Sequence, residues 1–175
     1  LICFYLALNI LYNLIFKKFV FLDVFTLTFF YMLRIIAPSS LPNVDLSFWF
    51  ITFSFFLFLS LAFLKKYIDF KYKKYCDIDF SNELRELFLN FSLLAFITSL
   101  SVLLSFFNSS EFLLKYQKVG FIYFMIIPYL YWMLNLITSV RLGFVKGDPI
   151  LFALSDKKSL VSIGIASSIF IYSAL

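Results

Sequence analysis

The stretch LSFWFITFSFFLFLSLAFL, residues 46–64, runs directly into KKYIDFKYKKYCDIDFSNELRE, residues 65–86, and this junction decides the fold class. The first part has 19 residues and no charge. A helix needs about 20 apolar residues to cross the hydrocarbon core of a bilayer. The second part opens with two lysines and mixes both signs of charge. An apolar run that ends in this way predicts a membrane-spanning helix whose charged end lies at the membrane surface.

The composition of the whole chain agrees with a membrane protein. Of its 175 residues, 63% are hydrophobic and 14% charged, and the mean hydropathy is +0.97. Soluble domains carry about 25% charged residues. The chain has no histidine, which excludes histidine acid–base catalysis and histidine metal ligation within it. Any metal it binds is expected to be a hard, oxygen-ligated ion such as Mg²⁺.

Six apolar segments are separated by more polar stretches, and turn-forming residues lie in these stretches at 37–45, 108–111 and 146–149. The six segments are residues 1–16, 19–37, 46–64, 87–107, 119–140 and 159–175. The predicted fold is therefore all-α, a polytopic transmembrane helix bundle of six spans that forms a single domain over residues 1–175.

The basic residues alternate between the loops that connect these segments. The first, third and fifth loops hold two, six and four of the 15 Lys and Arg residues, whereas the second holds none and the fourth holds two. Cytoplasmic loops of membrane proteins carry the excess of Lys and Arg. Residues 17–18, 65–86 and 141–158 are thus predicted to be cytoplasmic. The net charge of +5 reflects this topology and does not indicate nucleic-acid binding.

Charged residues inside or beside the apolar segments are the candidate functional residues. Asp23 and Arg34 lie in one predicted span, and their separation of 11 residues places them on one helix face, about 16 Å apart. Alternatively, Asp23 caps the helix start and Arg34 extends to the surface. Lys65 and Asp69 share a face if the third span continues as helix. Alternatively, Lys65 and Lys66 only mark the cytoplasmic end, as Arg141 does for its loop.

Together these residues predict a site at one membrane surface. Cations suit phosphate groups, and carboxylates suit a divalent ion. The neighbouring helices are apolar and aromatic. Such a surface is suited to joining a phosphate-bearing substrate to a hydrophobic lipid acceptor.

Three blocks of the sequence resemble the UbiA superfamily of intramembrane prenyltransferases. They are YNLIFKKFVFLDVFTLTFFYMLRIIA (12–37), WFITFSFFLFLSLAFLKKYIDF (49–70) and VRLGFVKGDPILFALSDKKSL (140–160). The first is similar to the branch of decaprenyl-phosphate phosphoribosyltransferase in the spacing of Tyr12, Lys17, Asp23 and Arg34. The second is similar to a Trp-led helix ending in Lys-Arg-x-x-Glu, and the third to a closing block with Arg141 and a Gly-Asp-Pro.

The resemblance implies a nine-helix bundle in a bacterial cytoplasmic membrane, of which the six spans here are helices four to nine. It implies Mg²⁺, with Asp69 in diphosphate-linked metal binding and catalysis and Asp23 as a second catalytic residue. The substrate-binding residues that it implies, for phosphate, ribose or lipid, are Tyr12, Lys17, Arg34, Lys65, Lys66 and Arg141. The family's first motif, Asn-Asp-x-x-Asp-x-x-x-Asp, is absent, so the chain is expected to be the C-terminal two-thirds of a longer protein and inactive alone.

The substrates that follow are phosphoribosyl diphosphate as donor and a polyprenyl phosphate as acceptor. One alternative is a UbiA-type enzyme that transfers a prenyl group from a prenyl diphosphate to an aromatic or other acceptor. Another is a transporter or a non-catalytic multispan subunit. A third is an inactive remnant of an enzyme.

Overall fold

The structure, a computed structural model, describes residues 20–39, 47–72, 80–115 and 119–174. The first predicted span, Tyr12 and Lys17 lie outside the described residues. The described backbone forms helices and no strand, which confirms the all-α prediction for these residues. The helices are α1 (Val20–Ser39), α2 (Phe48–Tyr72), α3 (Phe80–Phe107), α4 (Ser110–Lys115), α5 (Val119–Ile122), a 3-10 helix at Tyr123–Met125, α6 (Ile126–Leu142), α7 (Pro149–Ser155) and α8 (Lys157–Ala174).

Three helices among the described residues are long and apolar enough to cross a membrane. They are Phe48–Tyr72 and Glu83–Phe107, with 25 residues each, and Gly120–Leu142, with 23. They coincide with the predicted third, fourth and fifth spans. The chain is thus a helical membrane protein, and the count of six spans stays a prediction.

The first charged residues after the third predicted span belong to the helix itself. α2 continues as far as Tyr72, eight residues beyond the predicted end of the span at residue 64. Lysine is a good helix former, and its long side chain can carry the charge away from apolar surroundings. Lys65, Lys66 and Asp69 therefore project from a rigid helix rather than from a loop.

α2 is the central helix, and α1 and α3 both run antiparallel to it. The ring centroids of Phe63 and Phe91 are 5.4 Å apart, and those of Phe70 and Phe88 are 5.5 Å apart. Between α2 and α3, the buried Ser60 hydroxyl donates to the backbone oxygen of Ser92 at 2.9 Å. Small hydroxyl residues allow membrane helices to approach closely.

α6 runs parallel to α2, so the ends of both helices lie together. The Tyr72 hydroxyl donates to the backbone oxygen of Gly143 at 2.8 Å, and the Lys71 ammonium donates to that of Arg141 at 2.7 Å. A cation at the last carbonyls of a helix also complements its dipole. These contacts bring residues 65–72 and 141–148 to one end of the bundle, called here the polar end.

Gly143→Ala is expected to destabilise the fold by about 1–3 kcal/mol, the usual cost of a strained backbone conformation. Gly143 ends α6 with a φ of 87°, a left-handed conformation that side chains rarely adopt. An added Cβ would also lie 2.9 Å from the Tyr72 hydroxyl oxygen. The measurement is unfolding in detergent micelles. Gly164→Ala, inside α8 with nothing within 4 Å of an added Cβ, is the control and should not destabilise. Equal losses in both variants would contradict the role of Gly143.

Candidate functional site

Five side chains at the polar end form two neighbouring groups, called here together the polar cluster: Asp23 from α1 with Lys66 from α2, and Tyr31 from α1 with Lys65 from α2 and Asp148 from the residue before α7. Two lysines face two carboxylates, so the charges in the cluster balance. Residues from three separate parts of the chain converge here, which the sequence alone did not specify.

Lys66 and Asp23 form a buried ion pair between α2 and α1. The Lys66 ammonium donates to the Asp23 carboxylate, and the two side chains are only 6% and 5% exposed. A lone charge at this depth costs several kcal/mol, and a well-placed partner offsets much of that cost. The pair therefore ties α1 to α2, and Asp23 does more than cap the start of α1.

Lys65 and Asp148 form a second, more accessible pair. The Lys65 ammonium lies 3.3 Å from Asp148 Oδ2, and the side chains are 28% and 24% exposed. The Tyr31 hydroxyl donates to the same oxygen at 3.5 Å. The other oxygen, Oδ1, accepts from the backbone N–H of Ile150 at 2.9 Å and so caps the first turn of α7.

In the sequence, Asp148 stood out only within the Gly-Asp-Pro of the third block, and Tyr31 was not among the predicted site residues. Asp148 had a usable signal, because aspartate directly before a proline is a common start of a helix. Tyr31 had none, since its contact with Asp148 spans 117 residues.

The remaining predicted site residues that the structure describes, Asp69, Arg34 and Arg141, lie outside the polar cluster. Asp69 is half-buried one turn beyond Lys65 on α2. Arg34 is exposed, and its guanidinium carbon lies 5.9 Å from the centre of the Tyr31 ring. Arg141 is exposed in the last turn of α6. Asp23 and Arg34 thus occupy different environments, one buried against α2 and the other exposed.

A further carboxylate, Asp156, is held by hydrogen bonds between α7 and α8. It accepts from Asn135 Nδ2 at 3.0 Å and from the Ser159 N–H and hydroxyl at 3.0 and 2.9 Å. Burial raises the pKa of the Asp156 carboxyl, but these donors and the Lys158 backbone outweigh burial, so the pKa lies below its ordinary value. Asp156 is therefore an anionic cap for the start of α8.

Asp156→Asn is expected to make the stability of the fold less sensitive to pH under acidic conditions. A carboxyl whose folded pKa is depressed stabilises the fold above its unfolded pKa, and this contribution disappears as the pH falls through the folded pKa. The pH range in which this stability is lost lies below the unfolded pKa of 3.8. Unfolding measured from about pH 2 to 6 should show a smaller loss of stability in the variant than in the wild type. Asn135→Ala, which removes one donor, should give an intermediate loss, and three identical profiles would contradict the assignment.

A large apolar cavity lies among α2, α3, α6 and α8, away from the polar end. Its volume is about 780 Å³, and its lining includes Phe53, Trp132 and Phe170. Phe53 precedes Lys65 by 12 residues, which is about 18 Å along the helix. Two lining residues, Ser47 and Trp132, have a buried polar atom that finds no hydrogen-bond partner among the described residues. The cavity is of the size that takes a hydrophobic small molecule.

The polar end offers few ligands for Mg²⁺. Among the described residues, no three Asp, Glu or Cys side chains come together to form a metal site. Mg²⁺ is commonly held by one or two carboxylates together with substrate phosphates and water. Asp69 fits such a partial ligand set, because it lies beside Lys65, where a phosphate group would be attracted.

The fold and the site define a helical membrane protein with paired charges at one end of the bundle and an apolar cavity deeper in it. Comparison of the chain with protein-family models, with curated proteins and with solved structures finds no match. The functional assignment therefore depends on the residues of this chain.

Proposed function

We propose that the protein is an intramembrane transferase of the UbiA type, which moves a phosphoribosyl group from phosphoribosyl diphosphate to a polyprenyl phosphate. The observation that carries the proposal is the position of Lys65. Its side chain is partly exposed, contacts Asp148 and lies near Asp69, at the end of a helix that also lines the apolar cavity. A charged donor and a hydrophobic acceptor would thus meet on one helix.

The proposed reaction is a substitution at C1 of the ribose. A phosphate oxygen of the polyprenyl phosphate forms a bond to C1, the bond from C1 to the diphosphate oxygen breaks, and the electron pair leaves with the diphosphate. Lys65 would stabilise the charge on the departing diphosphate, as fixed donors do for developing anions. Bound Mg²⁺ would supply further neutralisation of that charge. Asp69 would hold the ion–diphosphate complex at the membrane surface.

The finer topology belongs to the same proposal. The six predicted spans would be helices four to nine of the family's bundle, and the polar end would face the cytoplasm of a bacterium. The excess of Lys and Arg in residues 65–86 and 141–158 supports this orientation. The contacts of Lys71 and Tyr72 with the end of α6 are consistent with it, since they keep these two segments at one end.

The test is transfer by the complete protein in membranes, with labelled phosphoribosyl diphosphate or labelled prenyl diphosphate as alternative donors. We expect a labelled phosphoribosyl lipid that forms only with Mg²⁺. Asp69→Asn should lower its formation by at least about a hundredfold, because the carboxylate is the metal-linked ligand. Glu83→Gln, which removes an exposed carboxylate at the start of α3, is the matched control and should retain activity.

Other products would decide between the alternatives. A labelled prenyl product and no phosphoribosyl lipid would replace the proposal with prenyl transfer. No product from either donor, in a protein that inserts and folds normally, would favour a non-catalytic membrane protein or a transporter.

A further inference from the structure

Among the described residues, a second cavity lies as an open groove between α6 and α8. Its volume is about 530 Å³, and it is lined by Ile127 and Tyr131 from α6 and by Lys157, Val161 and Ile165 from α8, together with Lys158. Nothing in the proposed transfer reaction uses this groove. It adjoins the larger cavity, with which it shares Pro128 and Ser162, but only this groove is lined by lysines.

The two helices run antiparallel, which fixes the order of the residues along the groove. Asn135 contacts Asp156 at one end, and the rings of Phe121 and Tyr172 lie 5.5 Å apart at the other. Tyr131 is therefore approximately level with Val161. At 1.5 Å per residue, Val161 lies about 6 Å beyond Lys157 along the axis.

Polarity falls steadily along the groove. Lys157 and Lys158 stand at its mouth, the phenol of Tyr131 follows one turn further in, and Ile127 and Ile165 follow one turn beyond that, about 12 Å from the lysines. A glycerophospholipid has the same order of groups: phosphate, glycerol esters and acyl chain. The groove thus matches such a lipid in charge and in depth.

Both lysines are exposed at the groove mouth, and within the described part of the chain no ion pair joins either one to a carboxylate. The preceding carboxylate, Asp156, instead accepts hydrogen bonds from Asn135 and Ser159. Asp156 also accepts a hydrogen bond from the Ser159 N–H in the first turn of α8. An anion at the groove mouth would therefore be attracted by the lysine side chains and not by the end of the helix.

We propose that this groove binds one anionic glycerophospholipid. Its phosphate lies between Lys157 and Lys158, its ester region lies near Tyr131, and one acyl chain follows Val161 and Ile165. Basic pockets between membrane helices recognise anionic head groups in this way. The apolar part of the groove supplies the selectivity for a lipid over a free anion, since only a lipid has an acyl chain that can pack along it.

The test is native mass spectrometry of the protein released from mixed bilayers of phosphatidylglycerol and phosphatidylcholine. We expect one retained phosphatidylglycerol per chain, in preference to phosphatidylcholine. Lys157→Gln and Lys158→Gln should each lower its retention by about three- to tenfold, since each removes one of the two positive charges that attract the lipid phosphate. Lys146→Gln is the matched control: it removes an exposed lysine from the polar end that does not line the groove, and it should leave retention unchanged.

Two further experiments distinguish a lipid site from a site that binds any anion. Val161→Trp changes an exposed side chain, so it should fold normally while its larger ring blocks the acyl path and lowers retention. Excess inorganic phosphate should leave the lipid bound. The proposal is overturned if Lys146→Gln lowers retention as much as the groove variants do, if Val161→Trp has no effect, or if phosphate displaces the lipid.

Discussion

Lys66→Met is expected to destabilise the folded protein by about 3–5 kcal/mol, the usual cost of removing one partner from a buried ion pair. The variant removes the Lys66 cation from the Asp23 carboxylate, whose side chain is only 5% exposed. Methionine keeps the length and apolar character of the lysine stem, so the loss reports the charge and not a cavity. The measurement is the free energy of unfolding in mixed micelles with increasing denaturing detergent.

The neighbouring lysine provides the control. Lys65→Met removes a partner from a pair that is about a quarter exposed, so we expect a loss of at most about 1 kcal/mol. The double variant Asp23→Leu with Lys66→Met should recover most of the stability, because two apolar residues can replace a buried pair at little cost. If Lys66→Met and Lys65→Met were equally stable, the buried pair would have no structural role.

The helical class was predictable because it depends on local properties. Long apolar runs without charge specify membrane helices wherever they occur. Accordingly, α2, α3 and the helical segment from α5 to α6 formed where the runs 46–64, 87–107 and 119–140 predicted them. The ends were less predictable. The run ends at residue 64, yet α2 continues to Tyr72, because helix continuation depends on contacts of Lys71 and Tyr72 with a distant part of the chain.

The partners of the charged residues were not predictable, because they are set by the packing of helices. The spacing of Lys65 and Asp69 indicated a shared face, but the observed partner of Lys65 is Asp148, which is 83 residues away. Likewise, Asp23 was matched with Arg34 on its own helix, whereas its observed partner is Lys66 on α2. Long-range pairing requires knowledge of which helices touch, and periodicity within one helix does not supply it.

The same packing gives different roles to Lys65 and Lys66, for which the sequence predicted the same role. Both were predicted to bind phosphate. Lys66 is buried against Asp23, so releasing it would take this cation away from a buried carboxylate at low dielectric. Lys65 is accessible, and its partner Asp148 also accepts from Tyr31 and from the Ile150 N–H. Asp148 therefore keeps two neutral donors if Lys65 turns to a phosphate group, which makes Lys65 the lysine that can exchange partners.

Lys65→Gln is accordingly expected to lower kcat/KM for the diphosphate donor by about a hundredfold, as loss of one fixed donor to a developing anion does. Stability should change little, since the pair with Asp148 is partly exposed. The measurement is steady-state transfer with varied donor, beside unfolding of the same preparation. Lys65→Arg keeps the positive charge and should recover part of the activity, although its geometry differs.

Lys71→Gln is the matched control, because it removes the same charge from the same helix two turns further on, where the ammonium contacts the backbone oxygens of Val140 and Arg141. It should lower stability slightly and leave the KM for the donor near that of the wild type. If Lys71→Gln and Lys65→Gln lowered kcat/KM equally, the lysines would act only through the overall positive potential of the polar end. If only Lys65→Gln lowered kcat/KM, Lys65 would be the residue that leaves Asp148 to contact the diphosphate.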